Sequence, residues 1–140
     1  MGTAENKQLM EQIFAALSAG DSRPLVENMA DDFCWKVSGS TKWSRTYHGK
    51  QAVLSELLGS LRPRIAGRVR VAALRLIAEG DFVVVEARGN NTTVEGKPYN
   101  NAYCFVFRLA EGKLKEVTEY MDTALVEAVI PERIAAQGAA

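Results

Sequence analysis

The chain contains a single histidine, His48, and only two cysteines, Cys34 and Cys104. One imidazole and two thiols with no metal-ligand spacing exclude a zinc centre built on these residues. The cysteines fall on different expected strands, so two reduced thiols are expected, and no metal or other cofactor. Apolar runs are short. None approaches the roughly 20 residues that span a bilayer, and the first residues carry no signal-peptide pattern. A cytoplasmic location away from membranes is the expectation. An excess of either charge is also missing: 17 basic and 17 acidic residues cancel to a formal net charge of zero. That leaves no electrostatic footprint for nucleic acid. Arg62, Arg64, Arg68 and Arg70 form a local basic run that reads, at strand spacing, as a solvated face. Phosphate loop, dinucleotide fingerprint and nucleophile elbow are all absent.

What is present is an ordinary globular composition, 47% hydrophobic and 24% charged in 140 residues, enough for one domain over 1–140 with its core at about 4–130. Leu9, Met10, Ile13, Phe14 and Leu17 recur at helical spacing, with Thr3 placed to cap the start and Gly20 to stop it. Asp21 or Ser22 then caps a short second helix with Pro24 in its first turn. Asp31 and Asp32 break that helix, and residues 33–37 read as a strand. Residues 38–46 form a polar loop carrying Trp43. Tyr47, His48 and Gly49 lead into a third helix with a stripe of Val53, Leu54, Leu57, Leu58 and Leu61, ended by Pro63. Alternation then takes over. After Ala73 its parity flips to Leu74, Leu76 and Ala78, the mark of a bulge in a long, bent strand. Turns at Glu79-Gly80-Asp81 and Glu95-Gly96-Lys97-Pro98 bracket a strand over 82–91. Asp122 and Thr123 cap a last helix through Val129, and the alanine-rich tail over 131–140 is expected to be loose. Helices first and an antiparallel meander afterwards predict an α+β fold: a cone-shaped curved, mixed or antiparallel sheet with the N-terminal helices in its hollow, able to hold a pocket.

The final hairpin carries the most chemistry. Gly112 suits a three-residue loop over 110–112. This register sets Phe107 opposite Lys115, Phe105 opposite Val117, Tyr103 opposite Glu119 and Asn101 opposite Met121. A two-residue loop would set Arg108 against Lys115, a like-charge pair. One face then presents Asn101, Tyr103, Phe105, Phe107, Val117, Glu119 and Met121. An acid among aromatics is costly to bury unless it shifts its pKa or does chemistry; the bland reading of Glu119 is a rim carboxylate bound to Tyr103 or a backbone amide. Asn101 can orient a ligand oxygen or satisfy backbone at the sheet end. Tyr103 can donate a hydrogen bond or simply pack. Asp122 reads first as a helix cap and second as an acid. Trp35 and Phe14 read as pocket wall. His48 and Tyr47, just before a helix, read as surface or capping residues, with general base the lesser reading of His48. Glu86 and Arg88 share a strand face; their bland reading is an exposed ion pair.

Ala19-Gly20-Asp21, Met29-Ala30-Asp31-Asp32-Phe33, His48-Gly49-Lys50-Gln51-Ala52-Val53, Glu111-Gly112-Lys113-Leu114 and Glu119-Tyr120-Met121-Asp122, in this order, resemble the SnoaL-like and ketosteroid isomerase-like families of the nuclear transport factor 2-like superfamily. The resemblance covers nearly the whole chain and implies the cystatin-like cone. It does not fix an activity, because this fold hosts many. Ketosteroid isomerases place a base where Val37 stands, a tyrosine where Ile13 or Phe14 stands and an acid near Tyr103 or Phe105, so classical steroid isomerisation is not expected. Limonene epoxide hydrolase-like relatives imply an acid at Glu119, but their Arg-x-Asp is met here by the reversed Glu86-Ala87-Arg88. SnoaL-type cyclases imply one acid/base, Glu119 or Asp122. The expected function is a cofactor-independent enzyme (isomerase, cyclase, dehydratase or epoxide hydrolase) acting on a small, mostly apolar or amphipathic molecule. Its pocket is walled by Trp35, Phe14, Phe105, Val117 and Met121, with Tyr47, His48, Glu86 and Arg88 as further binding candidates. The alternative is a non-catalytic ligand-binding or dimerisation domain. Cys104, Val106, Thr118 and Tyr120 suit a partner sheet, and superfamily relatives often pair through that face, which implies a homodimer.

Overall fold

The computed structural model describes residues 2–132, so most of the tail expected to be loose lies outside the described residues. Helix α1 (Thr3–Ser18) buries Met10, Ile13, Phe14 and Leu17. Thr3 does not cap it: its hydroxyl donates to the Gly80 carbonyl at 2.9 Å, tying the helix to a distant turn. Helix α2 (Arg23–Glu27) has Pro24 in its first turn. The Asp21 carboxylate accepts from the Arg23 amide and from its guanidinium, at 2.9–3.0 Å. Strand β1 (Met29–Val37) starts four residues earlier than the alternation predicts. Asp31 and Asp32 do not end the second helix, which stops at Glu27; both lie exposed within β1, and Asp32 takes the Lys115 ammonium at 2.6 Å. Strand β2 (Thr46–His48) falls on the end of the expected loop. It pairs with Cys34–Lys36 and buries Tyr47, whose hydroxyl donates to the Trp43 carbonyl at 2.9 Å. A helical stretch follows: α3 (Lys50–Ala52), a π-helical segment (Val53–Leu58), α4 (Gly59–Leu61) and a 3-10 turn (Arg62–Arg64) at Pro63.

Strands β3 (Val71–Glu79), β4 (Phe82–Gly89), β5 (Ala102–Ala110) and β6 (Lys113–Met121) and helix α5 (Thr123–Val129) complete the described residues. One open six-stranded sheet runs β2-β1-β6-β5-β4-β3. It is mixed, since β1 and β6 are parallel and the other neighbours antiparallel. The bulge read from the parity flip is present, with Leu74 unpaired between Ala73 and Arg75. The concave face holds the core, with Phe14 of α1 against Phe105 and Phe107 of β5.

The hairpin register differs from the sequence-based one. Ala110 pairs with Lys113, so the loop is the two-residue Glu111-Gly112, and both residues take positive φ, 54° and 74°, as a tight hairpin turn requires. The like-charge clash that argued against this loop does not occur. A register shift leaves Lys115 unpaired and moves Arg108 opposite Glu116, where the two form an ion pair at 2.9 Å. Beyond the bulge Phe107 faces Val117, Phe105 faces Glu119 and Tyr103 faces Met121. Each partner is displaced by two positions, so Tyr103, Phe105, Phe107, Val117, Glu119 and Met121 keep the face expected of them.

Candidate active site

Strand β1 ends beside Glu119, with Val37 as its parallel partner, and Trp35 lies two residues earlier on the same inward face. The Trp35 indole N–H donates to Glu119 Oε1 at 2.8 Å. No other hydrogen bond to this carboxylate is present among the described residues. Burial pushes the Glu119 carboxyl up to about 7, with the Trp35 hydrogen bond pulling the other way. Around it stand the edge of Trp35 against Phe105 (6.3 Å, 87°) and the stacked rings of Tyr103 and Phe105 (5.1 Å, 18°).

These groups border a cavity of about 620 Å³ reaching from Glu119 to the start of α2, within the usual range for small-molecule sites. Phe14 and Leu17 of α1, Leu57 and Leu58 of the π-helical segment, Trp43, and Val126 of α5 supply apolar wall. Trp43 is fixed by donating its indole N–H to the Ile130 carbonyl at 2.8 Å, which ties the 38–45 loop to the end of α5. Tyr99 and Tyr103 also line the cavity. Burial first, and then the neighbouring Tyr99 and Glu119, hold the Tyr103 phenol well above its ordinary pKa. Burial likewise raises Tyr99, whose oxygen accepts from Asn101 Nδ2 at 3.1 Å. Both phenols therefore stay protonated near neutrality.

The residues expected from sequence separate into two groups. Glu119, Trp35, Phe14, Tyr103, Phe105 and Met121 meet at the cavity. Val117 is core beneath it, 1% exposed. Asn101 is fully buried, and its carboxamide is occupied: Oδ1 accepts from the Ala102 and Asp122 amides, and Nδ2 donates to Tyr99 and the Asp122 carbonyl. It clamps the start of β5 to the end of β6. Asp122 is exposed and caps α5, accepting from the Ala124 and Leu125 amides. Tyr47 packs away from the cavity, and exposed His48 lies 3.6 Å from Cys34 Sγ on the outer face. Glu86 and Arg88 also point outward, and Glu86 pairs with Arg75 at 2.6 Å, not with Arg88. Sequence reasoning missed Tyr99, Trp43 and the cavity's rim. Tyr99 stands two residues before Asn101 and four before Tyr103, and so shares their parity, which was the available signal.

Among the described residues no group of three His, Cys, Asp or Glu side chains could hold a metal, and no helix is long and apolar enough to cross a membrane. Residues 10–117 match the family model described as a SnoaL-like domain. None of the curated proteins matches the sequence. Solved structures do share the fold. An NTF2-like protein from Burkholderia xenovorans LB400 is 24% identical, covers 92% of this chain and 98% of its own, and has a TM-score of 0.70. One from Burkholderia pseudomallei K96243 is 22% identical, with 91% and 98% covered and a TM-score of 0.77. TerC, co-crystallised with polyporic acid, is 21% identical, with 91% and 98% covered and a TM-score of 0.75.

Proposed function

The chain belongs to the SnoaL-like family, and from that membership and its cavity carboxylate we propose that it is a cofactor-independent enzyme acting on a small, mostly apolar molecule with an oxygen function. The observation that carries this reading is Glu119 on the cavity wall, with the Trp35 indole as its one hydrogen-bond donor among the described residues and its carboxyl lifted to about 7. A carboxyl poised there exists in both forms at neutral pH, so it can take a proton from carbon or oxygen and return it. Tyr103 and Tyr99 remain neutral donors beside it. The Tyr99 oxygen accepts from Asn101 and interacts with the Tyr103 hydroxyl, which leaves the Tyr99 O–H to meet developing negative charge on a substrate oxygen. Asn101 acts through Tyr99 as a positioning residue. Isomerisation, cyclisation, dehydration and epoxide opening all use this pair of functions. A solved structure that shares the fold, TerC, was co-crystallised with polyporic acid, which supports small-molecule binding.

A melting-shift screen of terpenoid, steroid and polyketide-like compounds, with turnover assays on the hits, tests this. For a turned-over hit, Glu119→Gln lowers kcat by about 100-fold or more and leaves the dissociation constant within about threefold. Binding without turnover by the wild type assigns the cone to ligand holding instead. We also propose that the chain is one domain that pairs with a second copy through its outer sheet face. There Ile77, Val84, Val106 and Thr118 stand in one cross-strand row, and Ile77, Phe82 and Tyr120 are exposed. Light scattering at micromolar concentration should give the dimer mass; a monomer refutes the pairing.

A further inference from the structure

The cavity's rim is not apolar. Its exposed lining residues are Arg23, Arg62, Gly67 and Arg68, three guanidiniums and a glycine. Arg23 is committed to Asp21 by the two-pronged bond described above. Arg62 and Arg68 make no ion pair and no side-chain hydrogen bond with any other described residue. They come from one short stretch that follows α4. The packing there is close: a Cβ on Gly20 would lie 3.2 Å from Arg68 Cβ and 3.3 Å from Arg70 Cζ, and Gly20 itself has φ of 84°. Among the described residues, and apart from the two phenols, the only ionisable groups lining the cavity are Asp21, these three arginines and Glu119. In a chain of zero net charge, the opening carries an excess of two positive charges over Asp21.

Resting on the reading that this cavity binds a small molecule, we propose that its ligand carries an anionic group, a carboxylate or similar planar oxyanion, which Arg62 and Arg68 hold at the opening. The apolar body lies against Phe14, Leu17, Leu57 and Leu58, and the reacting oxygen function is directed towards Glu119. Charge separation supports this polarity. A carboxylate sent inward would meet the Glu119 charge and aromatic wall, whereas at the rim it meets two guanidiniums, Arg62 and Arg68, that donate no side-chain hydrogen bond to a described residue, Arg68 standing also in the field of Asp21. Orientation follows from the same contrast: the anionic end is fixed at the solvent side and the neutral end enters first.

The test uses the whole chain and two isosteric probes, 2-naphthylacetate and neutral 2-naphthylacetamide, titrated by calorimetry at pH 7 and low salt. The wild type is expected to bind the acid about tenfold more tightly than the amide, a difference of about 1.4 kcal/mol. The preference should shrink with added salt. In the Arg62→Gln/Arg68→Gln double variant the acid should fall to the affinity of the amide, and the amide itself should be unchanged. Glu119→Gln should keep the preference. Equal affinity of the two probes for the wild type overturns the proposal, as does a preference that survives the double variant or a failure of both probes to bind. Because the readout is a ratio of affinities, a cavity that prefers acids but turns nothing over sinks the catalytic reading alone.

Discussion

Glu119 makes folding itself pH-dependent. Its carboxyl lies at about 7 in the folded chain against an ordinary value of 4.5. The native state therefore favours the protonated form, and the contribution is fully present below pH ~4.5 and lost as pH rises through ~7. A gap of this size corresponds to roughly 3 kcal/mol at about 1.4 kcal/mol per unit. Glu119 is half-buried and borders the cavity, so water there reduces the effect to about 2–3 kcal/mol. Glu119→Gln keeps an oxygen for the Trp35 indole and removes the charge. Urea unfolding followed by tryptophan fluorescence, on wild type and variant from pH 4 to 8, isolates the difference. The two should be of similar stability near pH 4, and the variant should lead by about 2–3 kcal/mol at pH 8. A flat difference curve would refute the reasoning, because it means that the carboxylate is as well solvated folded as unfolded.

Trp35→Phe removes the one hydrogen bond to the carboxylate and should move the Glu119 midpoint higher still, read by carbon-detected NMR titration; an unchanged midpoint would show that the indole N–H does not hold the charged form. Asn101→Ala strands the Asp122 and Ala102 amides and should cost roughly 3 kcal/mol in urea unfolding, with the Glu119 midpoint shifted little. Asp122→Ala removes the α5 cap and should cost about 1 kcal/mol. If Asp122 were instead the catalytic acid, that variant would lose turnover on any identified substrate while keeping most of its stability.

Face assignments were legible in the sequence because they depend only on parity. Tyr103, Phe105, Phe107, Glu119 and Met121 share the inward side in the expected and the observed register alike. Pairing partners were not legible. They depend on one unpaired residue, Lys115, whose presence lets the tight Glu111-Gly112 turn coexist with an Arg108–Glu116 pair. Its trace was there to read: Leu114 and Val117 are three apart, the same parity break that located Leu74 in β3. The local polar roles were ambiguous for a different reason. Asn101 and Asp122 have donors and acceptors that suit a ligand or the backbone equally well, and only the return of β6 beside β5 brings the orphan amides of Ala102 and Asp122 to Asn101. Spacing alone suggests that Arg62 and Arg68 share a solvated strand face. Arg62 instead opens the 3-10 turn and Arg68 lies in the loop after it, with β3 starting only at Val71.

Physical cost separates Glu119 from the other acids of the chain. Asp21, Asp32, Glu86 and Glu116 each have a cationic partner within 3 Å, and Asp122 offsets its charge at a helix end. A structural carboxylate in a core acquires such partners, since burying one without them is strongly unfavourable. Glu119 has an indole N–H and an aromatic wall, an arrangement that lowers stability at neutral pH when a glutamine would serve the same hydrogen bond. Val37, its parallel neighbour on β1, shows that an apolar residue fits the same end of the cavity. A carboxyl placed at the expense of stability, on a cavity wall and lifted to about 7, suits the proton transfer proposed for it, and the fold itself requires no charge at that position.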